Sequence, residues 1–86
     1  MSFMFEVYYR PPADSKRESE LNSCVAKLGG RLDFREESAM DQGAGSICLT
    51  FEFDRLDQAE AAAKTLRERG EHVEGPQEYD REPSHA

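Results

Sequence analysis

The chain has 86 residues, a formal net charge of −7 at pH 7 and a hydrophobic content of 37%. A chain of this size buries only about 60–65% of the surface that it exposes when unfolded, which allows one core and excludes a deep enclosed substrate cavity. The excess of carboxylates repels a phosphate backbone, so we expect no direct binding to nucleic acid. We also expect a cytoplasmic protein without a membrane partner, since no run approaches the roughly 18 apolar residues of a membrane span and the first residues lack a cationic leader.

The first predicted elements are a strand and a helix. Residues 3–9 alternate between two faces, one of them formed by Phe3, Phe5, Val7 and Tyr9. Pro11-Pro12 ends this strand. Ser15-Lys16-Arg17-Glu18 has the form of a capping box, and an apolar stripe at helical spacing follows it, made of Leu21, Cys24, Val25 and Leu28. Gly29-Gly30 is predicted to end this helix.

Two strands joined by a flexible hairpin connection are predicted next. In residues 31–37 the alternation predicts that Leu32 and Phe34 point inward. Residues 41–46 contain the glycines of the predicted connection. In residues 47–53 the alternation predicts two sets of side chains. The set on the core side is Ile47, Leu49, Phe51 and Phe53, and the set on the opposite side of the sheet is Cys48, Thr50 and Glu52.

The last predicted elements are a helix and an edge strand. Asp57-Gln58-Ala59-Glu60 resembles a second cap, and an apolar stripe of small residues follows until Gly70 ends the helix. Residues 71–77 form the fourth predicted strand. Because Pro76 has no N–H group for a ladder, this strand belongs at one edge of the sheet, and the polar second strand belongs at the other.

This order predicts an α+β fold of the ferredoxin-like βαββαβ type, a two-layer sandwich with antiparallel sheet order 4-1-3-2 and both helices on one face. Residues 1–79 form the predicted domain, and residues 80–86 a flexible polar tail. The sheet would separate Cys24 on the helix side from Cys48 on the other side. We therefore predict two free thiols.

The sheet face without helices is the predicted interaction surface. Its candidate residues are Met4, Glu6, Tyr8, Arg10, Cys48, Thr50 and Glu52, joined by Asp33 and Arg35 of the second strand. One interpretation is a solvated face with cross-strand pairs between Arg35 and either Glu6 or Glu52. The other is a surface for a protein partner or a homodimer, centred on Met4, Tyr8 and Cys48.

The start of the first helix is a candidate anion site, since Arg10, Lys16 and Arg17 bracket its free N–H groups. Ordinary surface charge is the alternative, because the glycine-rich cradle of phosphate sites is missing. His72 and His85 have no partner at metal-ligand spacing, and the loop acids Glu36, Glu37 and Asp41 lack the pattern of a calcium loop. We predict no catalytic residue, no metal and no cofactor.

The chain resembles the B-type regulators of ribonuclease activity, which are acidic ferredoxin-like domains. The segments that carry the resemblance are Phe5 to Arg10, Leu28-Gly29-Gly30, Ser46 to Phe53 and Val73-Glu74-Gly75-Pro76-Gln77-Glu78-Tyr79. It implies a protein that binds another protein and performs no chemistry. We thus expect a non-enzymatic interaction or regulatory domain that uses its open sheet face or an edge strand, and that regulates a ribonuclease-type partner. The alternative is an ACT-like sensor of small metabolites, which rests on analogy of fold.

Overall fold

The structure is a computed structural model that describes residues 1–41 and 44–79. Its elements, in chain order, are β1 (Ser2–Tyr9), α1 (Ser15–Lys27), β2 (Gly30–Asp41), β3 (Ala44–Phe53), α2 (Leu56–Glu68) and β4 (His72–Tyr79). The strands form one antiparallel sheet in the order β2-β3-β1-β4. This is the predicted order 4-1-3-2, and with the two helices it confirms the ferredoxin-like arrangement.

The core lies between the sheet and the helices. The inward side chains of β1 and β3 pack under both helices, and Phe5 contacts the rings of Phe51 and Phe53 at centroid distances of 5.8 and 5.3 Å. Leu21 and Val25 of α1 complete one side of this core, while α2 contributes mainly small residues, Ala59, Ala62, Ala63 and Leu66. Cys24 packs against the core from α1, and both cysteines are free, as the sequence predicted.

A β-bulge at Asp33 reverses the second half of β2. The ladder pairs Leu32 with Phe51 and then Phe34 with Thr50, so Asp33 is an extra residue between two consecutive pairs. Phe34 consequently points away from the helices and is 57% exposed. The inward orientation predicted for Phe34 is wrong, because regular alternation in a sequence carries no sign of an inserted residue.

The same bulge turns Arg35 to the helix side of the sheet, opposite Leu49. Its guanidinium there donates to the Glu18 carboxylate of α1 at 2.7 Å. The predicted place of Arg35 on the open face, and its predicted pairing with Glu6 or Glu52, are therefore wrong.

The long hairpin strands and the helix starts also differ from the prediction. β2 continues to Asp41 and β3 begins at Ala44, where the sequence predicted a connection over residues 41–46. Residues 42–43 and the predicted tail 80–86 lie outside the described residues.

The N-cap of α1 is Asp14, whose carboxylate accepts a hydrogen bond from the Arg17 N–H at 3.0 Å, so the capping box predicted at Ser15 is wrong.

α2 begins at Leu56, with Arg55 at its N-cap and no side-chain cap bond. The predicted cap residue Asp57 lies instead in the first turn, where it pairs with Arg55 at 2.9 Å. Within residues 1–41 and 44–79, neither helix has the length and apolar character that crossing a membrane requires.

Candidate functional site

The open face is the side of the sheet opposite the helices, and its side chains form three cross-strand rows. Each row takes one residue from β2, β3, β1 and β4 in turn. The tyrosine row is Glu36, Cys48, Tyr8 and His72; the central row is Phe34, Thr50, Glu6 and Glu74; the methionine row is Arg31, Glu52, Met4 and Gln77. Directly opposed residues on one face of an antiparallel sheet are close enough to interact, so each row is a chain of neighbours.

The tyrosine row directs two donors at the carboxylate of Glu6. The Tyr8 hydroxyl donates to Glu6 Oε1 at 3.1 Å, and the Cys48 thiol approaches Glu6 Oε2 at 3.9 Å. Burial raises the pKa of Tyr8 above its ordinary value of 10.0, and the neighbouring Cys48 and Glu6 raise it further. Burial also raises the pKa of the Cys48 thiol. Both groups therefore keep their protons at neutral pH and hold Glu6 in place.

The central row contains both an exposed aromatic ring and two opposed carboxylates. Phe34 and Met4 provide apolar walls of a shallow groove of about 680 Å³, into which Glu6 and Glu74 also point. Glu6 and Glu74 are direct partners across β1 and β4, an arrangement of like charges that destabilises a sheet locally. Glu74 accepts from His72 at 2.9 Å. In the part of the chain that the structure describes, Glu6 forms no salt bridge.

The methionine row balances its own charge. Arg31 Nη2 lies 3.1 Å from Glu52 Oε1 and 3.1 Å from Asp54 Oδ1. The Glu52 residue is only 6% exposed, so its carboxylate needs such a partner. The negative charge of the open face is consequently concentrated in the other two rows.

Six residues predicted for the interaction surface lie together on the open face: Met4, Glu6, Tyr8, Cys48, Thr50 and Glu52. Arg10 follows the end of β1 and lines a different depression, at the start of α1. The bulge brings Phe34 and Glu36 to the open face, where the sequence pattern did not predict them. His72 and Glu74 also lie on the open face and were not predicted there. The alternation of β4 could have indicated their position, although Gly75-Pro76 interrupts that alternation.

At the predicted anion site at the start of α1, carboxylates of the chain already accept hydrogen bonds from the donors that an anion would use. The Asp14 carboxylate accepts from a backbone N–H of the first turn. Arg17 donates to Glu71 at 2.8 Å and lies 4.6 Å from the centre of the Tyr9 ring. An incoming anion would compete with both carboxylates, and the exposed Lys16 and Arg10 would remain to attract it.

The acids Glu36 and Glu37 do not converge. Glu36 lies opposite Cys48 on the open face, whereas Glu37 lies on the other side and pairs with Arg35 at 2.7 Å. Among the residues that the structure describes, no three potential metal ligands of the His, Cys, Asp and Glu types come together.

Both edges of the sheet are irregular. β2 has a bulge at Asp33 and carries a succession of charged side chains. β4 is interrupted opposite Phe5, where its register to β1 shifts, and its Pro76 has no N–H to donate. Bulges, charges and proline are the features that keep edge strands from pairing with another chain.

The fold defines the chain as a ferredoxin-like α+β domain with one uncovered sheet face. No known protein family matches the chain, and no curated protein matches it significantly.

Proposed function

We propose that the chain is a non-enzymatic interaction domain that binds a partner protein on its open face. The observation that carries this proposal is the position of Phe34, which is 57% exposed and lines a groove together with Met4. Aromatic side chains and methionine are enriched at protein interfaces relative to the rest of the protein surface. An exposed aromatic ring beside a groove is therefore a natural anchor point for a partner.

The irregular edges favour the open face over an edge strand as the binding surface. A partner that adds a strand needs a regular row of free N–H and C=O groups. The bulge at Asp33 breaks this row on β2, and Pro76 breaks it on β4. A partner that contacts the side chains of the open face does not depend on this row.

Charge favours a different protein over a second copy of the chain. The three rows contain four carboxylates, on Glu6, Glu36, Glu52 and Glu74, against the single guanidinium of Arg31, which leaves −3 with His72 neutral. A symmetric dimer through this face would bring the same patch of both copies together. Like charges placed together in an interface cost several kcal/mol, and this cost is comparable with the whole binding free energy of a weak dimer.

The state of the nucleophiles supports a role without chemistry. Cys48 is the thiol nearest the groove, and its raised pKa leaves it protonated and unreactive at neutral pH. Tyr8 has a raised pKa as well, and its hydroxyl donates to Glu6. Among the described residues, no Lys or Arg side chain contributes to the pKa shift of either group.

In its specific form, the proposal is that the partner is a ribonuclease whose activity the chain regulates. The resemblance of Phe5 to Arg10, Ser46 to Phe53 and the closing strand to the B-type regulators of ribonuclease activity supports this form. It predicts that the chain changes the rate of RNA cleavage by the bound enzyme without binding RNA itself.

The test uses a photo-crosslinking side chain at Thr50, in the centre of the open face, and at Ala61, an exposed position of α2 that serves as the control. Both variants are expressed in the cells of origin and irradiated. A protein trapped from Thr50 and not from Ala61 is then purified. Its dissociation constant is measured for the wild type, for Phe34→Ala and for Leu56→Ala, whose residue is 43% exposed on α2.

We expect Phe34→Ala to weaken binding at least tenfold, which corresponds to about 1.4 kcal/mol, and Leu56→Ala to leave it unchanged. Equal effects of the two substitutions, or trapping from Ala61 alone, would refute a binding site on the open face. If the purified partner is a ribonuclease, its cleavage rate with and without the chain tests the specific form.

A second candidate function is a sensor of a small metabolite, and the volume of the groove favours it. About 680 Å³ falls within the range of roughly 300–1,000 Å³ for small-molecule sites. A ligand at 100 times its dissociation constant adds about 2.7 kcal/mol of stability. A panel of amino acids and nucleotides in thermal unfolding tests this function: a ligand that raises Tm supports it, and a panel without any shift excludes the compounds tried.

A further inference from the structure

We infer that the partner presents a cationic segment, in which lysine or arginine side chains follow an apolar anchor and lie against Glu6 and Glu74. This inference rests on the proposed function, since it names the chemistry of the segment that occupies the open face. Three observations carry it: the separation of charge between the two layers, the unbalanced carboxylates of the central row, and the distance between the apolar and anionic ends of that row.

The negative charge of the chain is located in the sheet layer. α1 has three cationic side chains and two carboxylates, and α2 has two cationic side chains and three carboxylates, so the helices together are neutral. The three rows of the open face, in contrast, have a formal charge of −3 with His72 neutral. A face with a formal charge of −3 attracts a cationic partner more strongly than helices whose charges sum to zero, so the charge distribution orients such a partner toward the open face.

The central row has a local reason to bind cations. Glu6 and Glu74 are opposed across β1 and β4, and their mutual repulsion is lowered by a positive charge between them. Within the described residues, the donors that reach Glu6 are the neutral Tyr8 hydroxyl and Cys48 thiol, which orient the carboxylate and leave its charge in place. Each Lys or Arg of a partner that pairs with these groups gains a charge-assisted hydrogen bond.

The row also sets a spacing for the partner. Phe34 and Glu6 are two strands apart and Phe34 and Glu74 three strands apart, which at about 4.8 Å per strand gives roughly 10 and 14 Å along the row. An extended chain rises about 3.3 Å per residue. A segment that crosses the strands with its apolar side chain on Phe34 therefore brings its third and fourth following residues beside the two carboxylates. Because side chains alternate along an extended chain, the fourth residue faces the sheet like the anchor and reaches the opposed pair Glu6 and Glu74.

The experiment uses three synthetic peptides, each with two copies of a five-residue unit. The cationic peptide repeats Leu-Ser-Ser-Lys-Lys, and the neutral and acidic peptides have Gln or Glu in place of Lys. Binding to the full chain is measured by NMR titration up to about 2 mM peptide, at two salt concentrations. The variants are Phe34→Ala, Glu6→Gln with Glu74→Gln, and the control Glu60→Gln with Glu68→Gln, which removes the same charge from exposed positions of α2.

We expect the cationic peptide alone to bind, and to bind more weakly as salt rises. Phe34→Ala and Glu6→Gln with Glu74→Gln should each raise the dissociation constant at least tenfold, while the α2 control should change it less than twofold. Equal weakening by the α2 control would mean attraction to the net charge, and would overturn the inference.

The remaining outcomes separate the inference from the proposed function. If the neutral or acidic peptide binds as well as the cationic one and depends on Phe34, the open face is a binding site but cationic recognition is overturned. If no peptide binds up to about 2 mM, the inference is overturned, and crosslinking from Thr50 still decides the proposed function independently.

Discussion

Arg35 of β2 donates hydrogen bonds to both carboxylate oxygens of Glu18 in α1, from Nε at 2.7 Å and from Nη2 at 3.0 Å. The Tyr9 hydroxyl donates to the same carboxylate and accepts from the Asp14 N–H at 2.9 Å. One carboxylate thereby joins an edge strand, the first helix and the end of β1. The bulge at Asp33 makes this contact possible, because it turns Arg35 toward the helices.

We predict that the contribution of this network to stability depends on pH. The Arg35 guanidinium holds the pKa of Glu18 below its ordinary value of 4.5, against the opposing effect of burial. A carboxyl group with a lowered pKa stabilises the fold above its unfolded-state pKa and loses this effect as the pH falls through the folded-state value. Glu18→Gln should therefore lower the free energy of unfolding at pH 7, and by much less at pH 3. Urea unfolding of both proteins across this range is the measurement, and a difference that is independent of pH would contradict the prediction.

A second prediction tests the orientation of Phe34 directly. Because its side chain lies on the open face, Phe34→Ala should change the free energy of unfolding by less than about 1 kcal/mol. Phe51→Ala removes a ring that is fully buried and should cost about 3–5 kcal/mol. Chemical denaturation of the two variants compares them. Similar losses in both would place Phe34 in the core, as plain alternation of β2 suggests.

Most of the fold follows from local sequence pattern. The alternation in β1 and β3 predicted their inward faces, since both strands are central and regular, and the helical stripes around Leu21 and Leu66 predicted which side of each helix is buried. Pro76 predicted an edge strand. In each of these places the structure is determined by the residues of one short segment, so it can be predicted from that segment alone.

The parts that the sequence did not reveal depend on pairing between strands. Leu32, Asp33 and Phe34 alternate without a break, and only the register to β3 shows that Asp33 is an extra residue. For the same reason, the central row with Phe34 at one end and Glu74 at the other could not be predicted, although Met4, Glu6 and Thr50 were placed on the right face. Glu18 was assigned to a capping box from the Ser-x-x-Glu pattern, whereas its tertiary partner Arg35 was assigned to the open face.

A third prediction concerns Gly30, whose missing side chain leaves room for the core. A Cβ atom there would lie 2.4 Å from the Phe53 ring and 2.6 Å from Val25 Cγ1. Gly30→Ala should therefore destabilise the fold by about 1–3 kcal/mol or more through overpacking. Phe53→Leu should relieve part of this cost, so that the double variant loses less than the sum of the single ones.

Gly70→Ala is the control for this double-mutant cycle. Gly70 has a φ of +93°, and a Cβ atom there would have no atom of the described residues within 4 Å. Its substitution therefore costs backbone strain of about 1–2 kcal/mol without a steric clash. Phe53→Leu should leave that cost unchanged. If it relieves both glycine substitutions equally, the effect at Gly30 does not come from contact with Phe53.

A fourth prediction concerns the reactivity of Cys48. Because burial raises the pKa of its thiol above the ordinary 9.0, its alkylation by iodoacetamide should reach half of the maximal rate only above pH 9. Mass spectrometry of the peptide that contains Cys48 follows this rate from pH 6 to pH 10. A half-maximal rate below pH 8 would indicate an activated thiol, and would count against a role without chemistry.

The two thiols lie on opposite sides of the sheet, with Cys48 on the open face and Cys24 in α1. The most direct test of binding on the open face is therefore the alkylation rate of each cysteine in the presence and absence of a saturating purified partner, at one pH. We predict at least tenfold slower alkylation of Cys48 in the complex and an unchanged rate for Cys24. Protection of Cys24 with unchanged reactivity of Cys48 would place the partner on the helices and contradict the proposed role of the open face.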